Sequence, residues 1–264
     1  MPKAELKDIT LYYEVHGSGY PLLLIAGLGS DHSSWFGLTQ ALAEHYQVIV
    51  FDNRGSGRSD SPDRQCSVLE MARDAVGLLN YLKITSCHIL GHSMGGYIAQ
   101  ELAIHYPSLV DKLILESTAA VSSIRNNRLF EDFLKQRRRQ EDSQAWIIRW
   151  VFWLFADKRF ADKTFIDTFI KNASHYRYAQ SPDDFSRQIG AVAAFDTRDR
   201  TGRIRARTLV IQGQRDILVL PEEARSLAGT IGTCHYESVE DAGHCIHLED
   251  PKGFAASVLK FLKP

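Results

Sequence analysis

Ser93 stands between glycines in Gly91-His92-Ser93-Met94-Gly95, and Gly96 follows. A serine flanked in this way suits a strand-to-helix turn too sharp for bulky neighbours, which lifts its hydroxyl to where a base and a substrate can both reach it. Composition alone supplies Gly-x-Ser-x-Gly in roughly one chain in ten of this length, so its surroundings decide. A serine hydroxyl is a weak nucleophile at neutral pH and needs a base to take its proton as it attacks. That base is expected to be a histidine, oriented by a buried carboxylate that also stabilises the transient imidazolium.

Ten histidines are available. His244, in Asp241-Ala242-Gly243-His244-Cys245-Ile246-His247, falls between the last apolar strand pattern and a C-terminal helical one. Asp216, in Gly213-Gln214-Arg215-Asp216, follows the strand pattern Thr208–Gln212 in the same manner. Taken singly, Asp216 reads equally well as a turn residue ahead of Pro221, and His244 as a loop histidine. The rival base is His247, read here as structural, and the rival acids are Asp241, Glu240 and Asp199. None is as well placed just past a strand. His92 is expected to pack beside the nucleophile. The order serine, aspartate, histidine, each beyond a strand, is that of a hydrolytic triad. A tetrahedral intermediate would also need backbone donors aimed at its oxyanion. The Met94 amide, at a helix N-terminus, is one. Leu28, in Ala26-Gly27-Leu28-Gly29, is the other, with Gly29 as the fallback.

The elements that must hold these residues are short apolar runs alternating with amphipathic stretches. Strands are expected at Ala4–Lys7, Ile9–Val15, Leu22–Ala26, Gln47–Phe51, Ser86–Leu90, Leu113–Glu116, Thr208–Gln212 and Thr233–Val239. Helices are expected at Trp35–Glu44, Ser67–Leu82, Met94–His105, Glu222–Ala228 and Pro251–Leu262. Continuous apolar runs suit parallel strands buried on both faces. Their alternation with helices implies right-handed crossovers and a doubly wound α/β sheet, whose ligands bind beyond the carboxyl ends of the strands. From about Thr118 to Arg207 the rhythm breaks into helical patterns alone: Asn126–Gln140, Ser143–Phe155, Asp162–Ala173 and Pro182–Phe195. This reads as a helical cap (119–206) inserted into a core formed by residues 1–118 and 207–264. Trp146, Trp150 and Trp153 share one helix face. They either pack the cap onto the core or line the substrate pocket. Arg137-Arg138-Arg139 reads as a solvated helix face.

With 31 basic and 32 acidic residues the chain lacks the basic footprint of a nucleic-acid binder. A composition of 44% hydrophobic and 24% charged residues calls for a packed core and not disorder. Met1–Asp8 is charged without an apolar stretch, and no apolar run of membrane-spanning length occurs. Cys66, Cys87, Cys234 and Cys245 have no metal-ligand or disulfide spacing, so a cytoplasmic protein with reduced thiols and no metal or other cofactor is expected. The Trp, Phe and Ile residues between Trp146 and Phe155 would either form a dimer surface or cover the pocket, which leaves monomer and homodimer open.

Over nearly its whole length the sequence resembles the α/β-hydrolase fold superfamily. The matching features are Gly91–Gly96, Asp52-Asn53-Arg54-Gly55-Ser56-Gly57-Arg58-Ser59, Gly213–Asp216 and Asp241–His244. The resemblance implies an eight-stranded, mostly parallel sheet flanked by helices, with the cap inserted after the sixth strand. It also implies Ser93 as nucleophile, His244 as base, Asp216 as orienting acid and Asp52–Ser59 as a structural loop. Within the superfamily the chain looks most like the 3-oxoadipate enol-lactonase and small carboxylesterase branch. Gly29-Ser30-Asp31 leading to Trp35 carries that likeness, as does Ala191-Val192-Ala193-Ala194-Phe195-Asp196 before Arg203-Ile204. Many family members carry His-Gly where this chain has Ala26-Gly27. The expectation is a serine esterase or lactonase acting on a small molecule through an acyl-enzyme. Three rivals remain: a carbon–carbon bond hydrolase, a perhydrolase, and a slow-turnover ligand receptor on the same scaffold.

Overall fold

The computed structural model describes residues 2–139 and 143–263, so Met1 and the end of the expected helix at Gln140 lie outside it. Eight strands form one sheet: β1 (Lys3–Glu5), β2 (Thr10–His16), β3 (Pro21–Ile25), β4 (Gln47–Phe51), β5 (Cys87–His92), β6 (Val110–Glu116), β7 (Arg207–Gly213) and β8 (Cys234–Val239). Their spatial order is β1-β2-β4-β3-β5-β6-β7-β8. β1 and β2 pair antiparallel, as do β2 and β4, and every later pairing is parallel. The carboxyl ends of β3, β5, β6, β7 and β8 therefore share one edge.

The core helices are α1 (Phe36–Ala43), α2 (Val68–Tyr81) and α3 (Met94–His105). Between β6 and β7 come α4 (Ile124–Arg138), α5 (Ser143–Leu154), α6 (Asp157–Phe160), α7 (Lys163–Ser174) and α8 (Pro182–Ala193). After them lie α9 (Pro221–Thr230), α10 (Ile246–Glu249) and α11 (Pro251–Leu262). The expected helix Ser67–Leu82 begins one residue later because Ser67 is its cap, its hydroxyl accepting the Glu70 amide at 3.1 Å. β6 starts at Val110, three residues before its apolar run, because Asp111 and Lys112 occupy its outer end. The four-residue α6 and α10 escape the periodic reading, since one turn carries no repeat.

All six residues of β5 are buried, and large apolar side chains pack on both faces of the sheet. β8 departs from the continuous-run expectation. As an edge strand it has no fully buried residue and mixes half-buried with exposed ones. No helix among the described residues is long and apolar enough to cross a membrane.

His88 on β5 is 5% exposed beneath the rings of Tyr20 (4.6 Å) and Tyr46 (5.7 Å). Burial pushes it down to about 4, although the Asp111 carboxylate 3.3 Å away pulls the other way. The folded state thus prefers the neutral ring, whereas the unfolded chain protonates it near pH 6.5. Stability is complete above that pH and is lost as pH falls toward 4. Between pH 7 and 5 the protein should lose roughly 1–2 kcal/mol through this residue. Urea midpoints at the two pH values should diverge less in a His88→Gln variant, and an equally steep loss in that variant would refute the assignment.

Candidate active site

Ser93 follows β5 directly and is the N-cap of α3, held at φ 54° and ψ −117°. A non-glycine residue in that region is strained, and such strain concentrates at functional sites. Several contacts over-determine it. The Ser93 amide donates to the Glu116 carbonyl (2.9 Å). Its own carbonyl accepts from the amides of Gly96 (2.9 Å) and Tyr97 (3.2 Å) and from the Thr118 hydroxyl (2.9 Å). The flanking glycines are steric necessities. A Cβ on Gly95 would lie 2.0 Å from the Ile25 carbonyl oxygen, and one on Gly91 2.3 Å from that of Gly95. The turn after β3 comes equally close: a Cβ on Gly27 would sit 3.3 Å from the Ser93 Cβ. Met94 opens α3, so its amide has no acceptor within the helix. The Gly29 amide, next to the expected donor Leu28, donates to Gln188 Oε1 at 3.4 Å.

Asp216 follows β7 and His244 follows β8, and the structure joins them. His244 Nδ1 lies 2.9 Å from Asp216 Oδ2, with both residues 2% exposed. The carboxylate also accepts from Leu218 N (2.8 Å), Val219 N (2.9 Å) and Gln212 Nε2 (3.0 Å). Only an acceptor satisfies so many donors, which fixes the proton on His244 Nδ1 and leaves Nε2 able to take another. The rival acids Asp199, Glu240 and Asp241 are all exposed, and Asp241 pairs with Lys158 (2.8 Å).

His92 ties the Ser93 turn to the His244 loop. Its ring lies 4.9 Å from that of His244, and its Nε2–H donates to the His244 carbonyl at 3.0 Å. Full burial holds His92 well below the ordinary imidazole range, so it stays neutral with its proton on Nε2. The His247 ring also lies 4.9 Å from that of His92. Its Nδ1 lies 2.8 and 2.9 Å from the two oxygens of the fully buried Glu116, and its amide donates to the same carboxylate (3.0 Å). Among the described residues His92, Glu116 and His247, and likewise Asp31, His32 and Asp52, stand close enough to share a metal ion. In both groups the carboxylates already accept hydrogen bonds within the group, and Asp52 Oδ2 also takes the Arg58 amide (2.7 Å).

In the α4–α8 insertion, Trp146 and Trp150 lie 5.9 Å apart within an aromatic cluster that includes Phe130, Phe133 and Phe185. Trp153 is half-buried against the same apolar core. Through Phe185 the cluster reaches the turn after β3, 3.8 Å from a Cβ built on Gly29. One expectation is corrected here. Arg137 is not on a solvated face; its guanidinium stacks 4.6 Å over the Trp146 ring and donates to the Gln180 carbonyl. Its aliphatic stem lets it bury against the aromatic cluster while its head stays hydrogen-bonded.

Three polar residues with no motif also belong to this region. Gln212 braces Asp216, and Glu249 accepts the amides of Gly243 and Ala156. Gln188, 1% exposed on α8, donates to the Arg54 carbonyl (2.9 Å) and the Ser56 hydroxyl (3.0 Å). The available signal was a polar residue inside an apolar pattern, as at Gln212, which marks burial without naming a partner.

A family model described as alpha/beta hydrolase fold matches residues 20–251. A curated relative from Azorhizobium caulinodans, named "Putative carbamate hydrolase RutD", is 30% identical over 263 residues, covering 99% of this chain and 98% of its own. Among solved structures, the enol-lactonase from Burkholderia xenovorans LB400 superposes with a TM-score of 0.90 at 25% identity, covering 99% of both chains. A thermophilic esterase from Thermogutta terrifontis superposes at 0.88 with 27% identity, covering 99% of this chain and 97% of its own.

Proposed function

The chain belongs to the α/β-hydrolase fold family and is a hydrolytic enzyme, and from that premise we propose a cofactor-independent serine hydrolase that cleaves a small carboxylic ester or lactone. The observation that carries this reading is a serine held at φ 54° beside a buried His244–Asp216 pair. His244 Nε2 takes the Ser93 hydroxyl proton as Oγ attacks the substrate carbonyl carbon. The Met94 and Leu28 amides stabilise the oxyanion. Collapse of the tetrahedral intermediate breaks the carbon–oxygen bond of the ester, and His244 returns the proton to the leaving alkoxide. A water molecule, deprotonated by His244, then attacks the acyl-enzyme, releases the carboxylic acid and restores Ser93.

In this reading residues 119–206 cap the site. Phe185 carries the Trp146 and Trp150 cluster to the β3 turn, which supports these rings, with Trp153, as walls of the substrate pocket. The four unpaired cysteines favour a cytoplasmic setting. A second reading, hydrolysis of a carbamate by the same acyl transfer, is favoured by the name of the relative that aligns with 99% of this chain.

Purified protein should turn over p-nitrophenyl acetate or a short enol-lactone, and a fluorophosphonate should label it at Ser93. A panel that adds a carbamate and a vinylogous diketone separates the readings. Cleavage of the diketone alone would sink the ester assignment, and turnover of the carbamate in preference to the ester would establish the second reading.

A further inference from the structure

Three successive amides of the loop that carries His244 find their acceptors outside that loop. Gly243 N donates to Glu249 Oε1 (2.6 Å), while His244 N (2.9 Å) and Cys245 N (3.1 Å) both donate to the Leu154 carbonyl. Leu154 is the last residue of α5, within the insertion between β6 and β7. The second oxygen of Glu249 accepts the Ala156 amide at 3.1 Å. One carboxylate thus bridges the base's loop and the insertion. The fit leaves no slack: a Cβ on Gly243 would stand 2.6 Å from Ala156 N and 2.9 Å from the Phe155 carbonyl carbon. Behind the loop, a Cβ on Gly213 would meet the Gly243 carbonyl oxygen at 2.2 Å. The loop is therefore clamped between the end of β7 and the end of α5.

We propose that Glu249 is a positioning residue for His244, and that Leu154–Ala156 form part of the mount that aims the base. The assignment rests on His244 being that base. A residue present only for packing would be apolar, because burying a carboxylate carries a desolvation cost. Burial indeed pushes the Glu249 carboxyl above its ordinary range, against the pull of the two amides it accepts. Two N–H donors arriving at separate oxygens need a group that only accepts. A glutamine would turn its NH2 toward one of them. The expected consequence is a displaced imidazole, and a misplacement of about 1 Å can cost about a hundredfold in rate.

Glu249→Gln tests this with little change of volume. Its kcat should fall about ten- to a hundredfold with KM nearly unchanged, and the rate of fluorophosphonate labelling at Ser93 should fall in parallel. Glu249→Met keeps the side chain's length and removes both acceptors, so it decides the matter if the glutamine variant does not fold. Asp241→Ala breaks only the exposed Lys158–Asp241 pair between the same two segments and should leave kcat unchanged. A folded Glu249→Gln or Glu249→Met protein with unaltered kcat and labelling rate would overturn the assignment alone. Failure of the unaltered protein to label at Ser93 would instead overturn the serine reading on which the assignment rests.

Discussion

Ser93→Ala should reduce turnover of p-nitrophenyl acetate on the order of a million-fold while the fold remains intact. Three features confine the loss to the chemical step. The hydroxyl is the only atom removed, so no cavity of consequence opens and no backbone hydrogen bond at the turn is lost. The bonds that hold the turn come from the residue's amide and carbonyl, through Glu116, Gly96, Tyr97 and Thr118, and alanine keeps both groups. The oxyanion donors also remain, so substrate should still bind, and KM should change far less than kcat. Steady-state kinetics with far-UV circular dichroism reads both properties. A variant that retains more than about a hundredth of the wild-type kcat would mean that the acyl group does not pass through Ser93.

Asp216→Asn should cost about ten-thousandfold in kcat, by a different route. The carboxylate accepts from Leu218 N, Val219 N, Gln212 Nε2 and His244 Nδ1. An asparagine that keeps its oxygen toward the two backbone amides must present its NH2 to Gln212 and His244. The imidazole then has to accept at Nδ1, which moves its proton to Nε2. A ring protonated at Nε2 cannot take the Ser93 proton, so the base is present in its place but in the wrong tautomer. The NH2 also confronts the Gln212 side-chain donor, so a lower melting temperature should accompany the loss. If kcat falls less than about tenfold with the fold preserved, another acid orients His244.

What the sequence made legible followed from how strongly local pattern fixes position. Ser93 and Asp216 each come just after an apolar run buried on both faces, which is constrained to be a strand of a parallel sheet, whereas His244 follows the half-exposed edge strand β8. Their arrival at one edge is a consequence of strand direction. Gly95 and Gly91 could be read as steric, although not what they would strike; the Ile25 carbonyl is 70 residues earlier in the chain than Gly95. The residues that escaped notice are polar side chains whose partners are remote. Gln188 contacts Gly29 across 159 positions, and Glu249 contacts Ala156 across 93. Periodicity states that such a side chain points inward and is silent on what it meets. Arg137 was misread for a related reason. Within Arg137-Arg138-Arg139 charge suggested solvent, and only the packing of α5 and α8 against α4 supplies the Trp146 and Phe185 rings that cover it.

The strand order carries a consequence for synthesis. The chain lays down β3, β5 and β6, and with them the Ser93 turn, well before the edge strand β8 and the loop beyond it exist. The His92–His244 contact closes over 152 residues. A ribosome-bound chain can thus assemble the Ser93 turn before the His244 loop exists, and sequence-distant contacts of this kind form late. The Ser93 turn and the His244 loop therefore meet only after β8 has been made, and a chain halted before it lacks the contact that joins them.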